Sequence, residues 1–346
     1  MKKAFTLIEI LIVIIVLGIL ATITSQIIIK VYENYHYSKE YNKLSFQTDM
    51  VLNEIATKLS LRVPNSLIAS ECNVSSSATA YSCKDANISN YNVLSAIPLN
   101  RADKFKVLEW LGKDIYSKRG MWDDNFKRVV PGYSGFVDLK DTNKSAVYAD
   151  EYNITTPYSN FNYVKIIESN RTVQWGIGGD IFNNDYEVLI FSGPDDRGDF
   201  LDINHSYGYY QNIYPANSAT RVFHIKQSSS NFTTSQNKTV LNIKAIDESN
   251  STTVYEKYYL VNTAYAIVPV CNNPECSDYN LTLKFNYYPW KGQTYKDKNE
   301  TLLASDVTQF KFREDNGVIR IYICISSPKI IINDKPLTVC KEKVVF

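Results

Sequence analysis

The sequence predicts an α+β protein. One long N-terminal α-helix, transmembrane in its first half and amphipathic in its second, carries a mostly antiparallel-β globular head. Three observations predict it. Between Phe5 and Ile29 the only ionisable side chain is Glu9, and residues 10–29 carry no charge. No proline occurs before Pro64, so nothing in that length breaks a helix. Beyond Pro64, short runs of β-branched and aromatic residues alternate with turn residues, as antiparallel strands do. Composition narrows the classes further. A hydrophobic content of 45% excludes wholesale disorder. Lys+Arg 37 against Asp+Glu 36 supplies no general electrostatic case for nucleic acid. Only His36, His205 and His224 are present, far apart, which argues against a histidine-based metal centre. The 26 tyrosines suit exposed β-structure and wet contact surfaces.

The N-terminus opens with the basic stretch Met1-Lys2-Lys3-Ala4, and Ile10 to Ala21 is almost unbroken Ile, Leu and Val around Gly18. Twenty helical residues reach about 30 Å, the hydrocarbon thickness of a bilayer. Lys2 and Lys3 would hold the N-terminus on the cytoplasmic side, leaving the rest of the chain outside the inner membrane. Three readings compete. A secretory signal peptide needs a small-residue cleavage site, and Leu20-Ala21-Thr22-Ile23-Thr24-Ser25 offers a weak one. A plain anchor explains the apolar run but not Glu9, because a carboxylate at that depth is costly and is retained for a partner. A processed and assembled helix explains both.

Lys3-Ala4-Phe5-Thr6-Leu7-Ile8-Glu9 resembles the cleavage and methylation motif of type IV prepilins and type II secretion pseudopilins. The resemblance implies a leader at residues 1–4, cut at Ala4–Phe5 by a prepilin peptidase that also methylates the new Phe5 amine. It implies that Glu9 meets the Phe5 amine of a neighbouring pilin or pseudopilin in a filament. Ala4 stands where the family usually has Gly, and Gln26 where many major pilins carry a helix-loosening Pro. Retention of Glu9 sets the chain apart from the tip-capping K-type pseudopilin.

The domain plan is therefore a transmembrane helix over 5–29, its amphipathic continuation over 30–61, and a periplasmic or extracellular head over 62–346. Ile27, Val31, Leu44, Val51, Leu52, Ile55 and Leu59 recur at three- and four-residue spacing, a stripe on which a head can sit. Tyr32, Tyr35, Tyr37 and Tyr41, with His36 among them, fall where an interfacial aromatic belt belongs. Residues 65–100 read as irregular. A short helix is expected over 102–118, from Phe105, Leu108, Leu111 and Ile115 on one face with Gly120 after its end. Strands are expected over 186–191, 221–225, 240–246, 258–270, 281–287 and 318–325. The segment from Leu302 to Cys324 is similar to the closing strands of large minor pilins and of J-type or W-type minor pseudopilins.

Six cysteines, Cys72, Cys83, Cys271, Cys276, Cys324 and Cys340, form an even set for an exported head. Six cysteines allow 15 connectivities, which sequence does not decide; neighbour pairing (72–83, 271–276, 324–340), which closes only short loops, is the expectation. A metal site at Cys271 and Cys276 is disfavoured by the four intervening residues and the lack of an adjacent His. The loop Ser192-Gly193-Pro194-Asp195-Asp196-Arg197-Gly198-Asp199-Phe200-Leu201-Asp202 resembles a calcium-binding loop of some major pseudopilins. Asp195, Asp196, Asp199 and Asp202 are the candidate Ca²⁺ ligands, against an Asp-rich turn neutralised by Arg197.

Eleven Asn-x-Ser/Thr acceptors are present, and nine have Asp or Glu two residues upstream: Asn73, Asn87, Asn143, Asn153, Asn170, Asn204, Asn250, Asn280 and Asn299. With 36 acids in 346 residues, chance puts an acid before about one of the eleven. The pattern resembles the acceptor motif of bacterial periplasmic oligosaccharyltransferases, which makes such an enzyme a candidate partner. Turn composition, which favours Asp, Asn and Ser together, is the competing reading. Phosphate-loop, zincin and nucleophile-elbow motifs are absent from the sequence. The expected function is filament assembly without catalysis or a required cofactor; the alternatives are a pilus-borne adhesin or an anchored periplasmic enzyme.

Overall fold

A computed structural model describes residues 7–71, 91–97, 104–144, 150–175, 186–192, 207–209, 221–226, 238–246, 254–271, 278–297, 299–332 and 334–346. Helix α1 (Leu7–Ser60) runs unbroken for 54 residues, about 80 Å. It stops where Pro64 approaches. The N–H groups of Leu61 and Arg62 close the last turn on the carbonyls of Lys58 and Leu59, and the Arg62 guanidinium donates to the Leu59 carbonyl at 2.9 Å. Asn65 then turns the chain at a φ of 60°.

Only the upper part of α1 is buried by the head: Leu44, Thr48, Val51, Leu52, Ile55, Ala56 and Leu59 form its inner face. Thr48 fits that apolar stripe because its hydroxyl donates to the Leu44 carbonyl at 2.8 Å. Ile27 and Val31 share the spacing but are 57% and 62% exposed. The stripe that carries the head therefore begins at Leu44.

Among the described residues the head is a 13-stranded sheet whose neighbouring strands pair antiparallel, with the order β15-β14-β13-β12-β11-β8-β9-β10-β7-β6 along its main path. Its ranges are β1 (Ile68–Glu71), β2 (Tyr91–Val93), β3 (Phe105–Lys113), β6 (Asp138–Lys144), β7 (Glu151–Pro157), β8 (Val188–Ser192), β9 (Val222–Lys226) and β10 (Lys238–Ala245). The long strands follow: β11 (Lys257–Cys271), β12 (Tyr279–Tyr287), β13 (Asn299–Asp315), β14 (Val318–Ile332) and β15 (Lys335–Val345). A separate hairpin joins β4 (Met121–Asp123) to β5 (Arg128–Val130). Strand β11 is the junction. Its first residues pair with β8, and Ala264–Ile267 pair with β3 and β12 together.

Helix α1 packs against β13, β14 and β15. Odd-numbered residues of the last two strands point inward, so Ile319, Ile321, Ile323 and Ile325 meet Leu337, Val339 and Val345 beneath the helix. A second core surrounds β11 and β3, and a third lies under helix α3 (Phe161–Trp175) with Phe161, Phe191, Phe223 and Tyr258.

Three sequence expectations change. Residues 105–113 form a strand, not the start of a helix; the helix that follows, α2 (Ile115–Arg119), is one short turn closed at Gly120. Phe105, Leu108 and Leu111 share helical spacing, but Val107 and Trp110 between them are buried as well. A strand buried on both faces has no alternation to report. Residues 68–71 and 91–93, read as irregular, form β1 and β2. Helix α3 was not expected. Over 161–171, where burial is described, its buried positions are Phe161, Val164 and Glu168, so an acid occupies the place where a third apolar residue would have announced it.

Truncation tests the helix seam. Ile55→Ala should destabilise the detergent-solubilised chain by about 3 kcal/mol, whereas exposed Ile27→Ala should stay within about 0.5 kcal/mol, both read from denaturant midpoints.

Candidate functional site

The largest chemically distinctive surface is the lower half of α1. From Leu7 to Ile29 its large apolar side chains are about half to four-fifths exposed, with a mean hydropathy of 2.9 across 18 residues and none of that window buried within the chain. Each such side chain left in water forgoes about 1.5–3 kcal/mol, so this segment requires lipid or other apolar helices around it. Glu9 lies in the first turn, exposed at the end of that surface, where the helix dipole favours a carboxylate. In an apolar environment it also requires a cation. Ala4 and Phe5 lie outside the described residues.

The upper half of α1 is tied to the sheet by polar contacts as well as by its core. Residues 45, 49 and 53 repeat every four positions and so share one helix face. Opposite them, Lys341 of β15 donates to Ser45 Oγ at 2.7 Å and pairs with Asp49, and Lys343 reaches Asn53. Nearer the membrane-side end, Ser327 Oγ donates to Glu40 at 2.7 Å. The two lysines occupy inward positions of β15, where helix carboxylate and amide groups take the place of apolar partners.

Cys324 and Cys340 stand directly opposite in the β14–β15 register and are disulfide-bonded, with their Cα atoms 4.0 Å apart. The bond fixes the alignment of the two strands that carry the helix. Cys271 is also disulfide-bonded; Cys72, Cys83 and Cys276 lie outside the described residues, as do Asp195, Asp196, Asp199 and Asp202. Of the acid-preceded acceptors, Asn143, Asn153, Asn170, Asn280 and Asn299 fall on β6, β7, α3, β12 and β13. Asn73, Asn87, Asn204 and Asn250 lie outside.

One cluster was not foreseen, because its members are scattered through the sequence. Asp114 follows β3 and caps α2, its Oδ1 accepting from the Ser117 N–H at 3.0 Å. Tyr133 donates to the Asp114 carbonyl at 2.8 Å. From α3, Glu168 pairs with Arg171 and accepts from Asn262 Nδ2 of β11 at 3.3 Å. Glu187, just before β8, is 1% exposed and near enough to Asp114 and Glu168 to feel their charge. Burial, then the nearby Glu168 and Asp114, hold the Glu187 carboxyl well above the usual carboxylate range. Burial, then Asp114, pushes Glu168 up to about 7. Among the described residues Asp114 Oδ2 and both Glu187 carboxyl oxygens find no hydrogen-bond donor. The cluster joins β3, α2, α3, β8 and β11 at one sealed point, which suits a structural role.

Residues 1–25 match the family described as the prokaryotic N-terminal methylation motif. No curated protein and no solved structure matches the chain.

The carboxyl cluster sets a pH dependence. Both glutamates have folded pKa values above the unfolded value of about 4.3, so their stabilising contribution is complete below that pH. It is lost as pH rises through about 7 for Glu168 and higher for Glu187. The thermal midpoint of the full chain should fall as pH rises from about 4.3 through about 7, and Glu187→Gln should flatten that fall.

Proposed function

We propose that this type IV pilin-like chain is a minor structural subunit. After cleavage by a prepilin peptidase it would join other pilins or pseudopilins in a type IV pilus or a type II secretion pseudopilus. One observation carries the reading. A methylation motif at residues 1–25 begins a 54-residue helix whose apolar lower half is exposed and whose upper half is occupied by the head.

That division supplies a mechanism. Before assembly the lower half sits in the inner membrane, with the head in the periplasm. During assembly the same surface exchanges lipid for the helices of neighbouring subunits, at little hydrophobic cost because both surroundings are apolar. Cleavage at Ala4–Phe5 creates an ammonium group within that apolar layer. Glu9 of one subunit and the Phe5 amine of another are each costly there alone and complementary together, so their pairing sets the stagger between subunits. The work is assembly, with no catalytic step by this chain. The size of the head favours a minor position near the filament tip, since a bulky head repeats poorly along a tightly wound shaft.

A second reading, that the head also binds a surface, draws on the β4–β5 hairpin. Trp122 and Val129 stand opposite each other on its outward face, 56% and 55% exposed. Exposed paired apolar residues on a projecting hairpin suit a contact site.

Peptide mass spectrometry of membrane and sheared surface fractions tests the assembly reading. An N-terminal peptide beginning at methylated Phe5 is expected. Glu9→Ala should leave cleavage intact and the chain in the membrane fraction, while reducing its recovery in filaments at least tenfold. Normal incorporation of Glu9→Ala, or a chain retaining Met1, would overturn it.

A further inference from the structure

We propose that the folded head is N-glycosylated at Asn143 and Asn299, and that the acid-preceded acceptors at Asn153, Asn170 and Asn280 are closed by the fold. The proposal rests on the export of the head argued above. It starts from the excess of acids two residues before the acceptor asparagines, nine of eleven where chance gives about one. In an extended chain, residues two apart point to the same side. A transferase with one cationic group beside its amide-binding site therefore reads both residues at once, provided the segment is extended, exposed and free to leave its neighbours.

The five acceptors whose asparagine is described divide on exposure and on freedom from their neighbours; Ser145 and the Asp297 side chain lie outside the described residues. Asn299 opens β13 with its side chain exposed, and Thr301 is exposed too. Its segment pairs with β12 through Asn299 and Phe285, Glu300 and Lys284, and Thr301 and Leu283, whereas pairing with β14 starts only at Val307. Among the described residues, one edge of this acceptor is therefore open. Asn143 lies on β6, the outermost strand, whose strand partner is β7. The β6–β7 register is broken between Asp138 and Asn143, which leaves Asp141 without a ladder partner on β7. Asn143 and Asp141 are both exposed, and among the described residues the Asp141 carboxylate meets the surface ammonium of Lys238, at 3.3 Å.

The other three fail. Asn153 is exposed, but β7 is bonded to β6 on one side and β10 on the other. Its acid Glu151 is buried and paired with Lys226, its Thr155 is buried, and its own Oδ1 accepts from Asn242 at 3.1 Å. Asn170 is in α3, where residues two apart are separated by about 200° around the axis, and its acid Glu168 belongs to the sealed carboxyl cluster. Asn280 is on β12 between β11 and β13, and its Thr282 hydroxyl is buried and donates to the Val268 carbonyl at 2.9 Å.

The test is site-resolved glycopeptide mapping of the full-length protein from its native host, with the N-terminal peptide measured in the same digest. Glycopeptides at Asn143 and Asn299, with unmodified peptides at Asn153, Asn170 and Asn280, are the expected result. Asp297→Ala should abolish modification at Asn299 and leave Asn143 modified; Asp141→Ala should do the reverse. Unmodified Asn143 and Asn299 beside a methylated Phe5 would overturn the glycosylation proposal and leave the pilin reading standing. Equal occupancy at all five sites would overturn the selection by fold, since it would mean transfer before folding. Modified Asn143 and Asn299 on a chain retaining Met1 would support glycosylation while removing the pilin reading.

Discussion

The structure depends on the burial of one face of α1, from Leu44 to Leu59, against the inner faces of β13, β14 and β15. That contact joins two parts with opposite solvent requirements. The helix below it presents an exposed apolar cylinder suited to lipid, and the sheet beyond it is a water-facing head. A helix has no joints of its own unless Pro or a break supplies one, so force or rotation applied at its lower half passes directly to the head. The seam must therefore be rigid. Its apolar core supplies burial, and the lysines of β15 meeting Ser45, Asp49 and Asn53 supply register along the helix.

Around that seam the head is stabilised in two different ways. Near the helix, the disulfide between Cys324 and Cys340 holds β14 and β15 in one alignment, so the inward isoleucines and lysines cannot slip to the outer face. Farther along the sheet, β8, α2 and α3 converge on Asp114, Glu168 and Glu187. Here a set of buried carboxyl groups, with Arg171 paired to Glu168, and with Asn262 and the Ser117 N–H as donors, stands where apolar packing stands elsewhere. The first device depends on an oxidising environment and the second on the protonation of buried carboxyl groups.

Legibility in the sequence followed the surroundings of each segment. Strand β10, with one wet face, shows period-two alternation in its burial and was expected over 240–246; β15 alternates too, though no strand was named there. Strand β3 is buried on both faces, and its accidental three- and four-residue spacing was read as helix. Helix α3 was silent because Glu168 stands in its apolar face, and that acid belongs there only once Arg171, Asn262 and Glu187 surround it. The carboxyl cluster had no local signature at all, since its members come from positions 114, 168, 171, 187 and 262.

By itself the sequence determined everything that local chemistry decides: the unbroken apolar helix, the lone Glu9 within it, the motif before it, the β-rich head and the acids before the asparagines. Each is a property of neighbours along the chain, through hydropathy, helical rise or i to i−2 geometry. The Cys324–Cys340 pairing was expected from neighbour spacing as well. The tertiary structure alone decided where the helix stops being exposed and starts carrying the head, and which acids lose their water. Those outcomes depend on contacts between residues up to about 300 positions apart, such as Asp49 and Lys341. No local pattern encodes them, because the desolvation that sets them is produced only when the sheet closes over the helix.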